Sequence, residues 1–307
     1  MRPLRGIVMI VLAVGLFAVM NSLIKSAPRV PAGEAVFFRS AFALPVIIVW
    51  LWSRGHLPGG LAAGHWRWHA LRGISGTVAM GLSFLGLKFL PFPEVTALRF
   101  VTPVLVLIFA AIFLGERFRL VRLGAVIAGL AGVLIMLWPR FEGAADAAGR
   151  RALIGAMIVL TSASFAAIAQ IALKRMSGME KTAAIVFWFS LISMTLGLAT
   201  LPFGWVWPTP REAGFLICAG ILGGAGQMLL TESYRFADVS TLAPFTYVSM
   251  IWALLIGYFI FNEPPTIPML AGAALIIASG LVIAWREQRH QRREREKPRP
   301  RGQFRPE

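Results

Sequence analysis

The chain has 307 residues, of which 57% are hydrophobic and 14% charged, and its mean hydropathy is +0.72. A soluble domain carries roughly a quarter charged residues, so this composition excludes an ordinary globular surface and indicates an integral membrane protein. The net charge of +16 does not indicate nucleic-acid binding, because nine of the 30 Lys and Arg residues follow Ala284 and most others lie in short loops, as membrane orientation requires.

Ten apolar segments are each long enough to cross a bilayer as a helix, which needs about 20 residues. We predict transmembrane helices at 6–24, 35–52, 70–87, 94–114, 121–138, 152–173, 183–201, 213–231, 239–261 and 267–285. A secretory signal is the alternative for the first segment, but this segment is longer than a usual signal core and lacks a clear cleavage site. The predicted fold is an all-α membrane bundle, since strands apolar on both faces do not suit a barrel.

The distribution of Lys and Arg predicts the orientation. With a cytoplasmic N-terminus, 21 of these residues lie in inner segments, seven lie in outer loops, and Arg39 and Arg99 lie within spans. This asymmetry predicts a multi-pass protein of the inner membrane with both termini in the cytoplasm. The tail at 286–307 is basic and lacks apolar periodicity, so we expect it to be disordered and to lie near anionic lipid headgroups.

The chain contains an internal repeat. Glu116 and Glu263 each end a long apolar run, and they are 147 residues apart. The same shift aligns Gly76 with Gly223, "LKF" at 87–89 with "YRF" at 234–236, and "FVT" at 100–102 with "YVS" at 247–249. A shift of 149 residues aligns Gly6 with Gly155, Asn21 with Gln170 and Lys25 with Lys174.

The repeat predicts two five-helix units, 1–140 and 141–285, followed by the tail. Because five is odd, the second unit enters the membrane from the opposite side, which is the inverted-repeat arrangement of many secondary transporters. Two such units can pack in two nearly equivalent ways, opening a central cavity outward or inward. A duplication kept only for stability is the alternative.

Three segments resemble the EamA repeats of the drug/metabolite transporter superfamily: "FFRSAFALP", "TPVLVLIFAAIFLGE" and "APFTYVSMIWALLIGYFIFNE". The resemblance covers about 6–285 and implies ten helices, a cavity between the two halves, and transport of small organic metabolites. One departure concerns helix bending. The first repeat has Pro103 thirteen residues before its glutamate, whereas the second has Met250 there and Pro244 earlier.

Two arginines within spans are candidate substrate ligands. Arg39 and Arg99 each follow a glutamate by five residues, which places both guanidinium groups roughly 7–8 Å into the hydrocarbon from the outer side. An intramembrane arginine is costly, at least about 2.5 kcal/mol at mid-bilayer. Each either snorkels to the headgroups or bonds a neighbouring helix, or it faces the cavity and binds a carboxylate or phosphate.

Polar and aromatic residues in other spans complete the predicted site. Asn21 and Gln170 occupy repeat-related helices, where they either bond across helices or line the two gates of the cavity. Gln227 follows a glycine-rich stretch in the eighth span that indicates close packing or a loosened helix. In the ninth span, Thr246, Tyr247 and Trp252, together with Phe100 as the repeat partner of Tyr247, are candidate walls for the apolar part of a substrate, or packing residues.

Several features are missing from the sequence. The spans carry no deep acidic residue for a proton relay, and the chain has no phosphate-binding GxxxxGK[ST] loop. His65 and His69 have a spacing that can suit a metal, but there is no obvious third ligand. We therefore predict that they are interfacial anchors beside Trp66 and Trp68. We therefore expect no catalytic residues, metal or cofactor.

The sequence predicts a secondary transporter that moves a small polar or amphipathic metabolite by alternating access. An amino acid or its derivative is the first expectation, with export favoured by analogy. Uptake of a vitamin or nucleoside-like cofactor, such as riboflavin or S-adenosylmethionine, is the alternative. An enzyme needs convergent catalytic groups and a channel needs a continuous polar stripe, and neither pattern is present. The expected partners are the substrate and membrane lipid, with the chain a monomer or homodimer.

Overall fold

The computed structural model describes residues 3–53, 60–114, 120–142, 147–237 and 239–296, and these form helices joined by turns and short loops, without any strand. The first unit contains α1 (Pro3–Lys25), α2 (Ala32–Ala41), α3 (Ala43–Ser53), α4 (Trp66–Gly86), α5 (Phe92–Arg99), α6 (Thr102–Leu114) and α7 (Leu120–Glu142). The second contains α8 (Ala147–Met176), α9 (Thr182–Leu198), a 3-10 turn (Leu201–Phe203), α10 (Pro210–Phe236), α11 (Val239–Thr246), α12 (Val248–Phe261) and α13 (Ile267–Glu296).

Every predicted span coincides with one helix or with two consecutive helices. In the described part of the chain, six helical segments are long and apolar enough to cross a membrane: Leu4–Lys25, Ala32–Ser53, Ala147–Met176, Pro210–Phe236, Pro244–Phe261 and Ile267–Arg286. Val126–Pro139 and Thr182–Leu198 are shorter apolar helices. Large apolar side chains such as Leu134 and Phe259 are exposed on the outside of the bundle, which suits a hydrocarbon solvent rather than water. The chain is thus an all-helical, multi-pass membrane protein.

Two helices break at repeat-related positions. The α-helical hydrogen-bond pattern is interrupted at Phe100 and Val101 between α5 and α6, and again at Tyr247 between α11 and α12, where backbone N–H groups bond the carbonyl three residues earlier. A shift of 147 residues superimposes Phe100 on Tyr247. The rings of these two residues are in edge-to-face contact, with centroids 5.0 Å apart.

Pro103 accounts for the first break, and a hydroxyl group bonds a carbonyl at each of the two breaks. Pro103 lacks the backbone N–H that would bond the Arg99 carbonyl in a regular helix, and its ring crowds the preceding turn. Thr102 Oγ1 donates to this carbonyl at 2.7 Å. At the second break, Ser249 Oγ donates to the Thr246 carbonyl at 2.7 Å, whereas Pro244 lies within α11, before the break. The two breaks therefore share a hydroxyl-bonded carbonyl but not the position of their proline.

Glycines allow the closest helix contacts. α7 packs along α13, where a Cβ on Gly132 would lie 2.8 Å from the Gly272 carbonyl. The glycine-rich stretch of α10 packs on α1, α2 and α3, with Gly220 against Phe42 and Gly224 against Ala43. α10 is continuous from Pro210 to Phe236, so these glycines do not break the helix but let other groups approach it closely.

Contacts between helix ends define two faces of the bundle. At the first, the Lys25 face, Lys25 Nζ lies 2.6 Å from Glu263 Oε1 and donates to the Leu90 carbonyl. At the opposite Glu180 face, Glu180 accepts from the backbone N–H of His65 at 2.8 Å and from its ring at 3.0 Å. α1 ends at the Lys25 face, whereas the repeat-related α8 begins there, where Arg151 lies over the ring of Phe89.

The C-terminal helix is longer than the sequence suggested. The expected disorder from 286 onward does not hold as far as Glu296, because α13 continues to that residue. Arg, Glu and Gln are good helix formers, and the preceding apolar turns supply the nucleus that an isolated tail would lack. The remainder of the tail, 297–307, and Glu116 of the repeat lie outside the described residues.

Candidate functional site: a cavity lined by three arginines

A cavity of about 200 Å³ lies between the two halves, which we call the arginine cavity. Its walls come from α1, α2, α4 and α5 of the first half and from α8, α9 and α10 of the second. Its polar lining consists of Asn21, Arg39, Arg72, Ser83, Arg99, Ser162, Gln170, Gln227 and Tyr234. Aromatic surface comes from Phe17, Phe84 and Phe189.

Three guanidinium groups give this cavity its electrostatic character. Arg39 and Arg72 are buried in the bundle, and the side chain of Arg99 is accessible to the cavity. Among the described residues that line the cavity, none is acidic. Arg39 and Arg99 lie in the last turns of α2 and α5, where the negative end of the helix dipole offsets part of their charge.

Arg39 and Arg72 share one aromatic ring. The guanidinium carbon of Arg72 lies 4.1 Å from the centroid of Phe189, and that of Arg39 lies 5.5 Å from it. Each is a cation–π contact, which favours a cation over an aromatic face. Phe189 of α9 therefore holds two arginines of the first half beside the cavity.

A repeat-related glycine makes room for each of these arginines. Arg72 lies across Gly76 of its own helix, so a Cβ there would overlap Arg72 Nη1. Arg39 lies across Gly223 of α10, where a Cβ would come 2.8 Å from Arg39 Nε. The shift of 147 residues aligns Gly76 with Gly223, so the two halves provide equivalent cradles.

These buried guanidinium groups keep unused hydrogen-bond donors. Arg39 Nη2 donates to the Gly223 carbonyl at 3.3 Å, but Arg39 Nε and Nη1 and Arg72 Nε have no partner within the described ranges. Since buried polar groups are ordinarily bonded, these N–H donors are available to an anion with several oxygen acceptors. Asn21 Oδ1 also lacks a partner there, and as an acceptor it would bond an N–H or O–H group of a ligand.

The three predicted amide residues all reach the cavity. Asn21 and Gln170, predicted at two separate gates, line this single cavity instead, and their gating role remains a prediction. Gln227 lines it too, and its side chain donates to Thr231 Oγ1 at 3.4 Å. With Arg39 and Arg99, five of the nine predicted site residues meet at one place.

The other four predicted residues lie elsewhere. Phe100 and Tyr247 pack against each other at the helix breaks, and Thr246 supplies the carbonyl that Ser249 bonds. Trp252 contacts α1, with its indole nitrogen 3.6 Å from where a Cβ on Gly15 would be, and its side chain is 41% exposed on the bundle surface. These contacts are packing contacts, and the four residues are absent from the described lining of the arginine cavity, so their role as substrate walls remains a prediction.

Arg72 is the functional candidate that the sequence did not reveal. It lies at the start of a predicted span, where a basic residue is expected at the inner membrane surface. Its position in the sequence therefore does not single it out as a substrate ligand. The structure places it nearly two turns into α4, buried and lining the cavity. Gly76, four residues later, was the available signal, since a small residue on the same helix face leaves space for a long one.

Family models match both halves of the chain. The EamA-like transporter family matches residues 4–138 and again 153–285, and solute carrier family 35 matches 94–200. The chain belongs to the EamA-like transporter family. It is therefore a transporter of small metabolites, and the resemblance seen in the sequence is confirmed.

Curated relatives cover most of the chain. The pseudopaline exporter CntI of Pseudomonas aeruginosa is 28% identical over 91% of this chain and 95% of its own. A riboflavin transporter of Rhizobium johnstonii is 28% identical, covering 86% and 84% of the two chains, and an S-adenosylmethionine uptake transporter of Rickettsia bellii is 27% identical, covering 85% and 86%. A crystal structure with 20% identity and a TM-score of 0.66 covers 92% of this chain and 98% of its own, and shows the same fold.

Proposed function

We propose that this protein is a secondary transporter of the inner membrane that moves a small organic anion, an amino-acid derivative with carboxylate or phosphate groups, and that it acts as an exporter. The observation that carries the proposal is the arginine cavity, where Arg39, Arg72 and Arg99 converge without an acidic lining residue in the described chain. Guanidinium groups bind carboxylate and phosphate bidentately, and burial strengthens that attraction.

The two halves act as inverted five-helix repeats, giving ten spans with both termini in the cytoplasm. In support, α1 ends at the Lys25 face and α8 begins there, and the breaks at Phe100 and Tyr247 are repeat-related. Rocking of one half against the other exposes the cavity to each side in turn.

The cavity chemistry favours one of the substrate classes found among the relatives. Riboflavin is uncharged and S-adenosylmethionine carries a sulfonium cation, so neither neutralises three arginines. The arginine cavity instead favours a substrate with several carboxylate or phosphate groups, which leaves the relative named as a pseudopaline exporter as the remaining guide among the three. The volume of about 200 Å³ is smaller than the roughly 300–1,000 Å³ of drug-sized sites, which favours a compact substrate.

Counterflow in proteoliposomes tests this proposal, with an amino-acid-derived polycarboxylate, riboflavin and S-adenosylmethionine compared in one preparation. We expect saturable counterflow of the polycarboxylate, lowered about 10- to 100-fold in Arg72→Gln and Arg99→Gln, as loss of one charge-assisted hydrogen bond predicts. The matched control is Arg211→Gln, since Arg211 stacks on Phe215 away from the cavity. Transport of riboflavin or S-adenosylmethionine that is unchanged in the cavity variants would overturn the proposal.

A further inference from the structure

A second, larger cavity opens beside the arginine cavity at the Lys25 face. It has a volume of about 490 Å³, and we call it the Lys25 chamber. Lys25, Lys88 and Arg151 contribute cationic side chains to its walls, with Glu263 as the acidic one. An anion leaving the arginine cavity in this direction thus meets a second basic environment.

A single described residue is shared by the walls of the two spaces. Phe84 of α4 lines both the arginine cavity and the Lys25 chamber, and no other residue of the described ranges lines both. Phe84 is 2% exposed and belongs to the main buried apolar cluster. One residue earlier, Ser83 lines the arginine cavity, and farther along the chain Leu87 lines the chamber.

The backbone around Phe84 is fixed to α8. Ser162 Oγ donates to the Ala79 carbonyl at 2.6 Å, five residues before Phe84. Two residues after it, Gly86 lies directly against Val159, so that a Cβ on this glycine would overlap the valine side chain. Because its helix is held on both sides, an opening between the two spaces requires movement of the Phe84 side chain rather than of its backbone.

The other half has a smaller residue at the corresponding position. The shift of 147 residues aligns Phe84 with Thr231 of α10, whose hydroxyl bonds Gln227. The aromatic ring of Phe84 on the Lys25 side of the cavity therefore has no aromatic counterpart at the repeat-related site.

We propose that Phe84 is the barrier through which the anionic substrate passes between the arginine cavity and the Lys25 chamber. This inference rests on the proposed transport function, because a barrier has meaning only on a substrate route. Rotation of the Phe84 ring joins the two spaces, and the cationic walls on either side make the passage selective for anions.

Thiol labelling tests the barrier without a substrate. The chain has one cysteine, Cys218, which is replaced by Ser. Asn21→Cys then reports on the arginine cavity, and Ala32→Cys reports on the Lys25 chamber. The reagent is the membrane-impermeant sulfonatoethyl methanethiosulfonate, applied to whichever side of cells or inverted vesicles labels Ala32→Cys.

Phe84→Ala is expected to speed labelling of Asn21→Cys by about tenfold, equivalent to a barrier lowered by about 1.4 kcal/mol. Phe17→Ala is the matched control, because Phe17 lines only the arginine cavity in the described chain, and it is expected to leave the rate within about twofold. If the Phe84→Ala protein is not inserted into the membrane, Phe84→Val takes its place in the labelling experiment. Labelling of Ala32→Cys at an unchanged rate shows that the fold is intact.

Two results would overturn the proposal. One is equal acceleration by Phe84→Ala and Phe17→Ala, and the other is rapid labelling of Asn21→Cys, as fast as Ala32→Cys, with Phe84 present. Since accessibility is independent of the transported molecule, failure of the anion assignment in counterflow would leave this test unaffected.

Discussion

At the scale of single residues, the site depends on glycines as much as on arginines. Gly76 and Gly223 contribute no side chain to binding, yet each provides the space in which a guanidinium group lies. A buried arginine held in a fixed position loses little further freedom when it binds an anion, so the cradle pre-organises the site.

Gly223→Ala is therefore expected to weaken substrate binding while leaving the protein folded. The added Cβ would lie 2.8 Å from both Arg39 Nε and Met20 Sδ, and the guanidinium group must move to relieve the clash. We expect the KM for counterflow to rise about tenfold, which is about 1.4 kcal/mol of binding free energy.

Gly214→Ala is the control on the same helix, since a Cβ there meets nothing within 4 Å. It is expected to leave the KM unchanged and to keep or raise the thermal stability, because Ala is the better helix former. Equal changes in KM for both variants would show that Gly223 acts through helix stability and not through Arg39.

The sequence predicts one part of this site and misses another for definite reasons. A charge inside an apolar run is conspicuous, so Arg39 and Arg99 could be recognised directly. Arg72 lies near the start of a predicted span, where the sequence does not tell whether a basic residue belongs to the helix or to the loop before it. Tyr247 and Trp252 lie outside the described lining of the arginine cavity, and their contact with a substrate stays a prediction. The interruption at Tyr247 makes the direction of the following side chains hard to infer from helical periodicity.

At the scale of elements, the two broken helices meet where they break. The edge-to-face contact of Phe100 with Tyr247 joins α5–α6 to α11–α12, so the two discontinuities support each other. The ten apolar segments could be predicted from the distribution of apolar residues along the sequence. The two breaks could not, because Pro103 and Pro244 occupy different places relative to the breaks.

A double-mutant cycle tests this contact. Phe100→Ala, Tyr247→Ala and the double variant are compared by thermal unfolding in detergent. We expect a coupling free energy of about 0.5–1.5 kcal/mol, the range measured for aromatic pairs. Tyr258→Ala combined with Phe100→Ala is the control and is expected to be additive, since Tyr258 contacts Phe259 on the exposed surface. Additivity of Phe100→Ala with Tyr247→Ala would contradict the contact.

At the scale of the whole molecule, polar contacts join the two halves at both faces. Lys25 pairs with Glu263 and Glu34 accepts from the Val206 N–H at 3.1 Å at the Lys25 face, and Glu180 accepts from His65 at the Glu180 face. If the halves rock against each other, contacts at one face must open while those at the other persist.

Reporter fusions test the inverted arrangement that this rocking requires. Fusions after Glu116 and after Glu263, the repeat-related ends of two apolar runs, are expected on opposite sides of the membrane. With cytoplasmic termini, a fluorescent reporter is active after Glu116 and alkaline phosphatase after Glu263. Both reporters on the same side would exclude inverted repeats.

The contact at the Glu180 face makes a prediction about pH. Burial acts to raise the pKa of the Glu180 carboxyl, but hydrogen bonds from His65 and the charge of His69 outweigh it and hold this pKa below its ordinary value of 4.5. A carboxyl with a depressed pKa stabilises the fold at pH values above its unfolded pKa, and this contribution is lost as the pH falls through the folded pKa.

Glu180→Gln should consequently be less stable than the parent at pH 7, by about 1.5–3 kcal/mol for a hydrogen bond to a charged group. The difference in melting temperature should shrink once the pH falls below 4.5. His65→Ala combined with Glu180→Gln is expected to cost less than the sum of the single changes, because the two residues share one contact. A difference between parent and Glu180→Gln that stays constant down to pH 3 would show that the carboxylate charge contributes nothing to holding the halves together at this face.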